Sequence, residues 1–159
     1  MLENSTIIRA ALKSDVPFLA SVWKATNLGC EQPESSYFIA LLENCEGLVF
    51  VAQSQSAVVG YMTLQRSTHI AVEAQNPLQL WQIYVVPKFH GAGVAARLMN
   101  TVLTYARSQK HDVIWLGVSE NNARRIAFYR KNNFKVVGRH LVGSAEHAHH
   151  DIVMSCAVN

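Results

Sequence analysis

The stretch LQLWQIYVVPKFHGAGVAARLM, Leu78 to Met99, decides the fold. It opens as a run of β-formers that stops at Pro87, a residue with no N–H to give to a ladder, and so predicts a strand. From Gly93 onward, Val94, Leu98, Val102 and Tyr105 recur at helical steps, while Arg97, Asn100, Thr104 and Arg107 take the opposite side. That pattern is an amphipathic helix. DVIWLGVS, Asp112 to Ser119, then reads as a buried strand. Strand, helix and strand make a crossover unit, which places the two strands parallel and adjacent with a right-handed connection.

Working outward, Thr6 to Leu12 alternates as a first strand, and Ser14 precedes a helix with Pro17 in its first turn and Phe18, Leu19, Val22 and Trp23 on its apolar side. PESSYFIALLEN, Pro33 to Asn44, predicts a second helix, joined to the first by a flexible GCEQ. GLVFVAQ and VVGYMTLQR, separated by the polar turn SQSA, have hairpin spacing, and STHIAVEAQNP leads on to the fourth strand. After the crossover, NNARRIAFYRKNN reads as a helix and FKVVGRHLVG and DIVMSCAV as strands. The predicted order is βααβββαβαββ, a single domain over residues 1–159 in which the strands outside the crossover pair by hairpins.

The 159 residues are half apolar, and their net charge of +3 comes from scattered Lys and Arg. This balance suits a small anion better than nucleic acid. No segment reaches the ~18 apolar residues of a membrane helix, and MLENSTIIRA alternates instead of forming a signal-peptide core, so a cytoplasmic protein without membrane partners is expected. Cys30, Cys45 and Cys156 are far apart and odd in number, which favours reduced thiols. Of His147, His149 and His150 in EHAHHDI, the i and i+2 members could share a strand face and bind metal, or the tract could decorate a surface hairpin. The expectation is no metal.

The helix that follows Lys88 starts with Gly91, Ala92, Gly93 and Ala95. Glycine costs up to about 1 kcal/mol there relative to alanine, so helix propensity did not choose it. Helix N-termini expose N–H groups without intrahelical partners and attract anions, and a bare turn lets a phosphate reach the main chain. His90, Gly91, Ala92, Gly93, Val94 and Ala95 are therefore a candidate pyrophosphate cradle. The alternative is a tight strand-to-helix turn with no ligand. A P-loop is excluded by the absence of GKS or GKT, and Ala96 breaks the dinucleotide GxGxxG pattern.

IYVVPKFHGAGVAARLM, followed by LGVSENNARRIAFYRKNNF, resembles the acetyl-CoA-binding core of the GCN5-related N-acetyltransferases over roughly Leu78 to Gly138. The resemblance implies an α+β fold: a central mixed, mostly antiparallel sheet of about seven strands flanked by about four helices, the fourth and fifth strands parallel and splayed. It implies acetyl-CoA as co-substrate, with its pantetheine arm on the main chain of Ile83, Tyr84 and Val85 and its diphosphate on the cradle. It further implies that Asn122 holds the arm, that Tyr129 is the general acid, and that Arg125, with Arg124, Lys131 or Lys88, meets the 3′-phosphate. His90 stands where the family has Arg or Gln, and Asn133 stands where it closes the helix with Gly, a mild exchange at a left-handed helix end.

The acceptor implied is a small-molecule primary amine. Such an amine is mostly ammonium at neutral pH, and many relatives place a glutamate on the fourth strand to deprotonate it, where this chain has Gln79 and Gln82. Glu73, His69 or a water chain are left as bases. The tail GRHLVGSAEHAHHDIVM is most similar to the polyamine branch, with another small amine or a protein amine as alternatives. A non-catalytic acyl-CoA sensor and a nucleotide-binding module are the rival readings, and a homodimer is a further possibility the family carries.

Overall fold

A computed structural model describes residues 6–26, 35–43 and 47–158. Its elements are β1 (Thr6–Ala10), α1 (Val16–Thr26), α2 (Ser35–Glu43), β2 (Gly47–Ser54), β3 (Ala57–Gln65), β4 (Pro77–Val85), α3 (Val94–Ser108), β5 (Val113–Ser119), α4 (Ala123–Lys131), β6 (Lys135–Val142) and β7 (His149–Ala157). This is the predicted order. Short 3-10 turns at Lys13–Asp15 and Pro87–Phe89 were not foreseen. The GCEQ joint, Cys30, Cys45, Glu31 and Glu34 lie outside the described residues.

The strands form one sheet in the order β1-β2-β3-β4-β5-β7-β6. β4 and β5 are parallel, as expected of a crossover, and their ladder runs over Pro77–Gln79 and Val113–Trp115. One expectation needs correcting, because hairpin pairing alone does not produce this order. β7 inserts between β5 and β6, pairing antiparallel with β5 along Val113–Ser119 and with β6 on its other side. The inserted strand carries Val153, Met154 and Cys156, all buried, which suits a central position, whereas β6 exposes Val136, Val137 and Leu141 as an edge strand. The chain divides into two compact units, residues 1–65 with 81–102 and residues 66–80 with 103–159. β4 and α3 each contribute to both.

In the first unit, Val16, Leu19 and Val22 of α1 and Phe38 of α2 pack with Val49, Val51, Val58 and Tyr61 of the sheet. Phe38 meets Tyr61 edge-on at 5.7 Å, and Trp23 meets Tyr84 edge-on at 5.1 Å. Each such pair contributes ~0.5–1.5 kcal/mol beyond its buried area. The turn into α1 is held by Asp15. The Asp15 carboxylate accepts two bonds from Arg9, at 2.7 and 2.8 Å, and one from the Leu12 N–H at 2.7 Å. These bonds, Arg9's first, hold the Asp15 carboxyl below the usual carboxylate range despite its burial.

In the second unit, residues 66–76 are pinned across the sheet. Burial opposes ionisation of Asp112, but backbone donors outweigh it and keep the carboxylate charged; those of Gln75 and Asn76 lie at 2.6 and 2.9 Å. Trp115 Nε1 donates to the Ser67 carbonyl at 2.8 Å. A bulge between Val136 and Gly138 brings Gly138 beneath Ala71, where an added Cβ would stand 2.5 Å from the alanine methyl. Cys156 is a free thiol whose ionisation is opposed by burial.

Because the Asp15 pKa is depressed in the folded state, its stabilisation is complete above the unfolded carboxyl value and is lost as pH falls through the folded one. Asp15→Asn is expected to destabilise the protein by roughly 2 kcal/mol at pH 7, in line with hydrogen bonds to a charged group. Urea melts of the two proteins should converge as the pH drops below the carboxylate range.

Candidate active site

β4 hands the chain to α3 through Pro87–Phe89 and the bare turn. Phe89 N–H donates to the Val86 carbonyl, His90 N–H to Pro87 and Ala92 N–H to Phe89. Gly91 and Gly93 then take φ angles of +80° and +77°, a region that costs side-chain-bearing residues ~1–2 kcal/mol. A Cβ added at either glycine would meet nothing within 4 Å. Glycine is therefore required by backbone conformation, and the space above the turn is open to a ligand.

The first intrahelical bond of α3 runs from Arg97 N–H to the Gly93 carbonyl at 3.1 Å. Ahead of it the N–H groups of Val94, Ala95 and Ala96 have no intrahelical acceptor, the arrangement that binds anions. Val94 itself is buried and anchors the turn, while Ala92 and Ala95 are half-buried. The residues from Ile83 to Ala95 expected to bind the cofactor thus form one continuous segment of the first unit.

His90 is tied to the strand that precedes the turn. Its Nε2 bonds the Val85 carbonyl at 2.7 Å, so the imidazole closes back on the end of β4. The Val86 N–H donates to Val59 on β3, which points the Val85 carbonyl, and with it the Val85 N–H, to the opposite edge of the strand. Ile83 and Val85 are buried, and Tyr84 sends its ring between Trp23 and Tyr61.

The other expected residues lie in the second unit, where β5 leads into α4. Asn122 caps α4, its Oδ1 accepting from the Arg125 N–H at 3.1 Å. This removes one orphan donor and leaves the NH₂ end of Asn122 for any ligand. Arg125 is half-buried. At the far end Asn133 adopts φ +66°, Asn133 N–H bonds the Arg130 carbonyl and Phe134 N–H bonds the Tyr129 carbonyl, both at 3.1 Å. This is a Schellman closure, in which the residue beyond the left-handed position packs on the last turn. Phe134 does so, its ring 5.8 Å from that of Tyr129, and Tyr129 is 4% exposed. The closing Asn-Phe pair therefore fixes the tyrosine.

A groove of about 680 Å³ runs beside α4, lined by Ala123, Ile126, Ala127 and Ile152 with Glu120, Arg130 and Lys131 at its rim. Of the expected phosphate contacts, Lys131 is in it; Arg124 and Lys88 are exposed elsewhere. Sequence reasoning named His69 as a possible base but missed its neighbours on the opposite side of β5, where His140 and Asp151 stand over Gly117 and His69 packs on His140. The register of β6 on β7 unites His140 with Asp151, and the segment before β4 brings in His69. Among the described residues no three His, Cys, Asp or Glu side chains are placed to hold a metal ion, and no helix is long and apolar enough to cross a membrane.

Residues 17–134 match the model of the acetyltransferase (GNAT) family. The chain is 33% identical over 120 residues to an uncharacterised N-acetyltransferase of Mycobacterium tuberculosis, covering 76% of this chain and 73% of the relative. Two solved structures share the fold. The ribosomal-protein-alanine N-acetyltransferase of Brucella melitensis superposes with a TM-score of 0.80 at 23% identity, covering 95% of this chain and 99% of that one. The yncA protein of Salmonella typhimurium, solved with its cofactor acetyl-CoA, superposes with a TM-score of 0.80 at 19% identity, covering 98% and 95%.

Since neither glycine meets a neighbour, Gly91→Ala and Gly93→Ala should each cost only the conformational term, about 1 kcal/mol. Denaturant titration checks this. A loss several times larger would show that the turn is strained by packing.

Proposed function

The chain belongs to the GNAT family of acetyltransferases and is an acetyl-transferring enzyme; from that premise we propose that it takes the acetyl group from acetyl-CoA and places it on a primary amine by direct attack. The observation that carries the cofactor assignment is the turn at Gly91–Gly93: two left-handed glycines, open space above them, and the free N–H groups that begin α3. The diphosphate fits there on main-chain donors alone. His90 Nε2 meets the Val85 carbonyl on the same edge of β4 that carries the Val85 N–H.

The pantetheine arm would follow the edge of β4 at Ile83–Val85 as an added strand. The Val85 N–H, on the edge that faces away from β3, is the donor suited to the oxyanion that forms when an amine attacks the thioester. Arg124, Arg125 and Lys131 of α4, with Lys88, are the cations that could meet the 3′-phosphate.

Tyr129 is the general acid in this reading. The departing thiolate belongs to an acid with an ordinary pKa near 8.5, and a phenol near 10 can protonate it with little uphill cost. Burial against Phe134 keeps the phenol in one orientation, which a proton donor needs.

The acceptor follows from the chemistry as a primary amine, with polyamines first in the screen because of the likeness of the tail. Of the carboxylates that a polycation would seek, Glu120 is already paired with Arg139, while Glu73 and Glu146 are exposed. A protein or peptide amine is the other arm of the screen. Spermidine, a peptide with an N-terminal alanine and a peptide with an internal lysine, each incubated with acetyl-CoA, would be followed by thiol release and by mass gain of one acetyl group.

Tyr129→Phe should lower kcat by about 10²-fold or more, the usual share of general acid catalysis, while the Kd for acetyl-CoA measured by calorimetry changes little. An unchanged kcat removes Tyr129 from the mechanism. No acetyl-CoA binding in the wild type removes the cofactor assignment.

A further inference from the structure

The family's strand-four carboxylate is missing, so the proton on the acceptor ammonium must go elsewhere. On the β5-β7-β6 side of the second unit, His140 of β6 pairs directly with Asp151 of β7 in the antiparallel register. Both side chains stand over Gly117 of β5: from the position a Cβ would occupy there, Asp151 Oδ2 is 3.6 Å away and His140 Cε1 is 3.8 Å away. Two buried atoms in this group lack a hydrogen-bond partner, His140 Nδ1 and Asp151 Oδ1. His149 Nε2 lies 3.3 Å from Asp151 Oδ1 without hydrogen-bonding geometry.

Buried polar atoms without partners are rare in folded proteins, and these two are complementary: one can donate, the other can only accept. They sit on cross-strand neighbours, whose Cβ atoms are ~4.5–5.5 Å apart. A single bond between them would satisfy both. Catalytic hydrogen bonds are often loose before substrate arrives and tighten in the complex.

We propose that His140 and Asp151 form the base of this acetyltransferase, Asp151 holding the imidazole as its Nδ1–H tautomer so that Nε2 takes a proton from the acceptor ammonium. The proposal rests on the acetyl-transfer reading given above. His140 is the catalytic residue and Asp151 a positioning residue. The proton balance is simple. His140 takes one proton from R–NH₃⁺, the free amine attacks the thioester carbon, the C–S bond breaks, and the thiolate is protonated by Tyr129, which regains the second nitrogen proton. His140 then releases its proton to solvent. The products are the amide, CoA thiol and one H⁺.

The surroundings fit this role. β5 runs from Gly117 directly to Asn122 and α4, which carry the residues assigned to the thioester. Gly117 has no side chain and is exposed, so a slender alkyl amine can approach the pair. His69 stacks between Trp115 and His140, its ring 5.3 Å from each. The Ala71 N–H donates to His69 Nδ1 at 3.1 Å, which leaves the proton of neutral His69 on Nε2. Burial first, and then His140, hold His69 below the usual imidazole pKa, so it adds no competing positive charge near neutral pH. The other titratable or charged groups around the pair are His149, His150 and the Glu120–Arg139 ion pair.

The test compares wild type, His140→Ala and Asp151→Asn with whichever amine of the screen releases CoA. With the dyad, bound ammonium is deprotonated in the site, so wild-type kcat/KM levels off with rising pH once the base is neutral. In His140→Ala only the free amine reacts. Its kcat/KM should climb about tenfold per pH unit toward the ammonium pKa, and at pH 7 should be roughly 10²–10³-fold below wild type, with the Kd for acetyl-CoA unchanged. Added imidazole should restore part of the rate. Independently of turnover, ¹⁵N NMR of the unloaded protein should show His140 as the Nδ1–H tautomer in the wild type and not in Asp151→Asn. A His140→Ala enzyme that keeps the wild-type plateau overturns the dyad. So does a His140 tautomer indifferent to Asp151→Asn, a reading available even if the alanine variant does not fold. Absence of CoA release by the wild type with every amine refutes acetyl transfer itself, and the dyad with it; release with an unaltered His140→Ala profile refutes the dyad alone.

Discussion

A backbone turning through φ angles of +80° and +77° within three residues admits only glycine at low cost, and the start of α3 is placed by that turn. A side chain at 91 or 93 would hold that turn at a conformational cost of about 1 kcal/mol each. The constraint is conformational and not steric, since neither glycine touches anything. This differs from a packing turn, where glycine yields to a close neighbour. The helix behind it is amphipathic and firmly held, with Leu98, Met99 and Val102 fully buried, so the turn has a rigid base.

The second half of the motif is as much architecture as chemistry. Asn122 and Asn133 mark the two ends of α4, one accepting the Arg125 N–H, the other taking the left-handed conformation that lets Phe134 fold back on Tyr129. A motif of Asn, Tyr and a closing pair is what a short helix needs in order to begin, stop and orient one phenol. α4 has only nine residues, too short to hold itself by propensity, so both caps matter. The same letters therefore serve the stability of α4 whatever else they do.

The local parts of this arrangement were legible in the sequence. Periodicity marked all eleven helices and strands, Pro87 ended β4, and the glycines and asparagines announced their conformations. What escaped was non-local. Asp15 could not be singled out as the anchor of the turn into α1, because its bidentate partner Arg9 is supplied by β1. β7 reads like any edge hairpin until β5 offers it a second edge. The bond from His90 to the Val85 carbonyl depends on the direction of one carbonyl at the end of β4. His69 stood in the sequence as one of several possible bases, but its neighbours His140 and Asp151 follow no spacing rule, since separate segments bring the three together.

Gly138 carries a consequence for how this sheet can diversify. With hydrogen in place of a methyl group, it lets Ala71 settle against β6, and the crossing of residues 66–76 over the strands is possible only while that hydrogen stays. Any descendant that acquires a larger residue at 138 must reroute or lengthen the connection between β3 and β4, and would lift His69 off Trp115 as it did so. Drift at one edge strand is thereby coupled to the shape of a distant connection, and a single letter can sort related chains into those able to keep this covering and those obliged to build another.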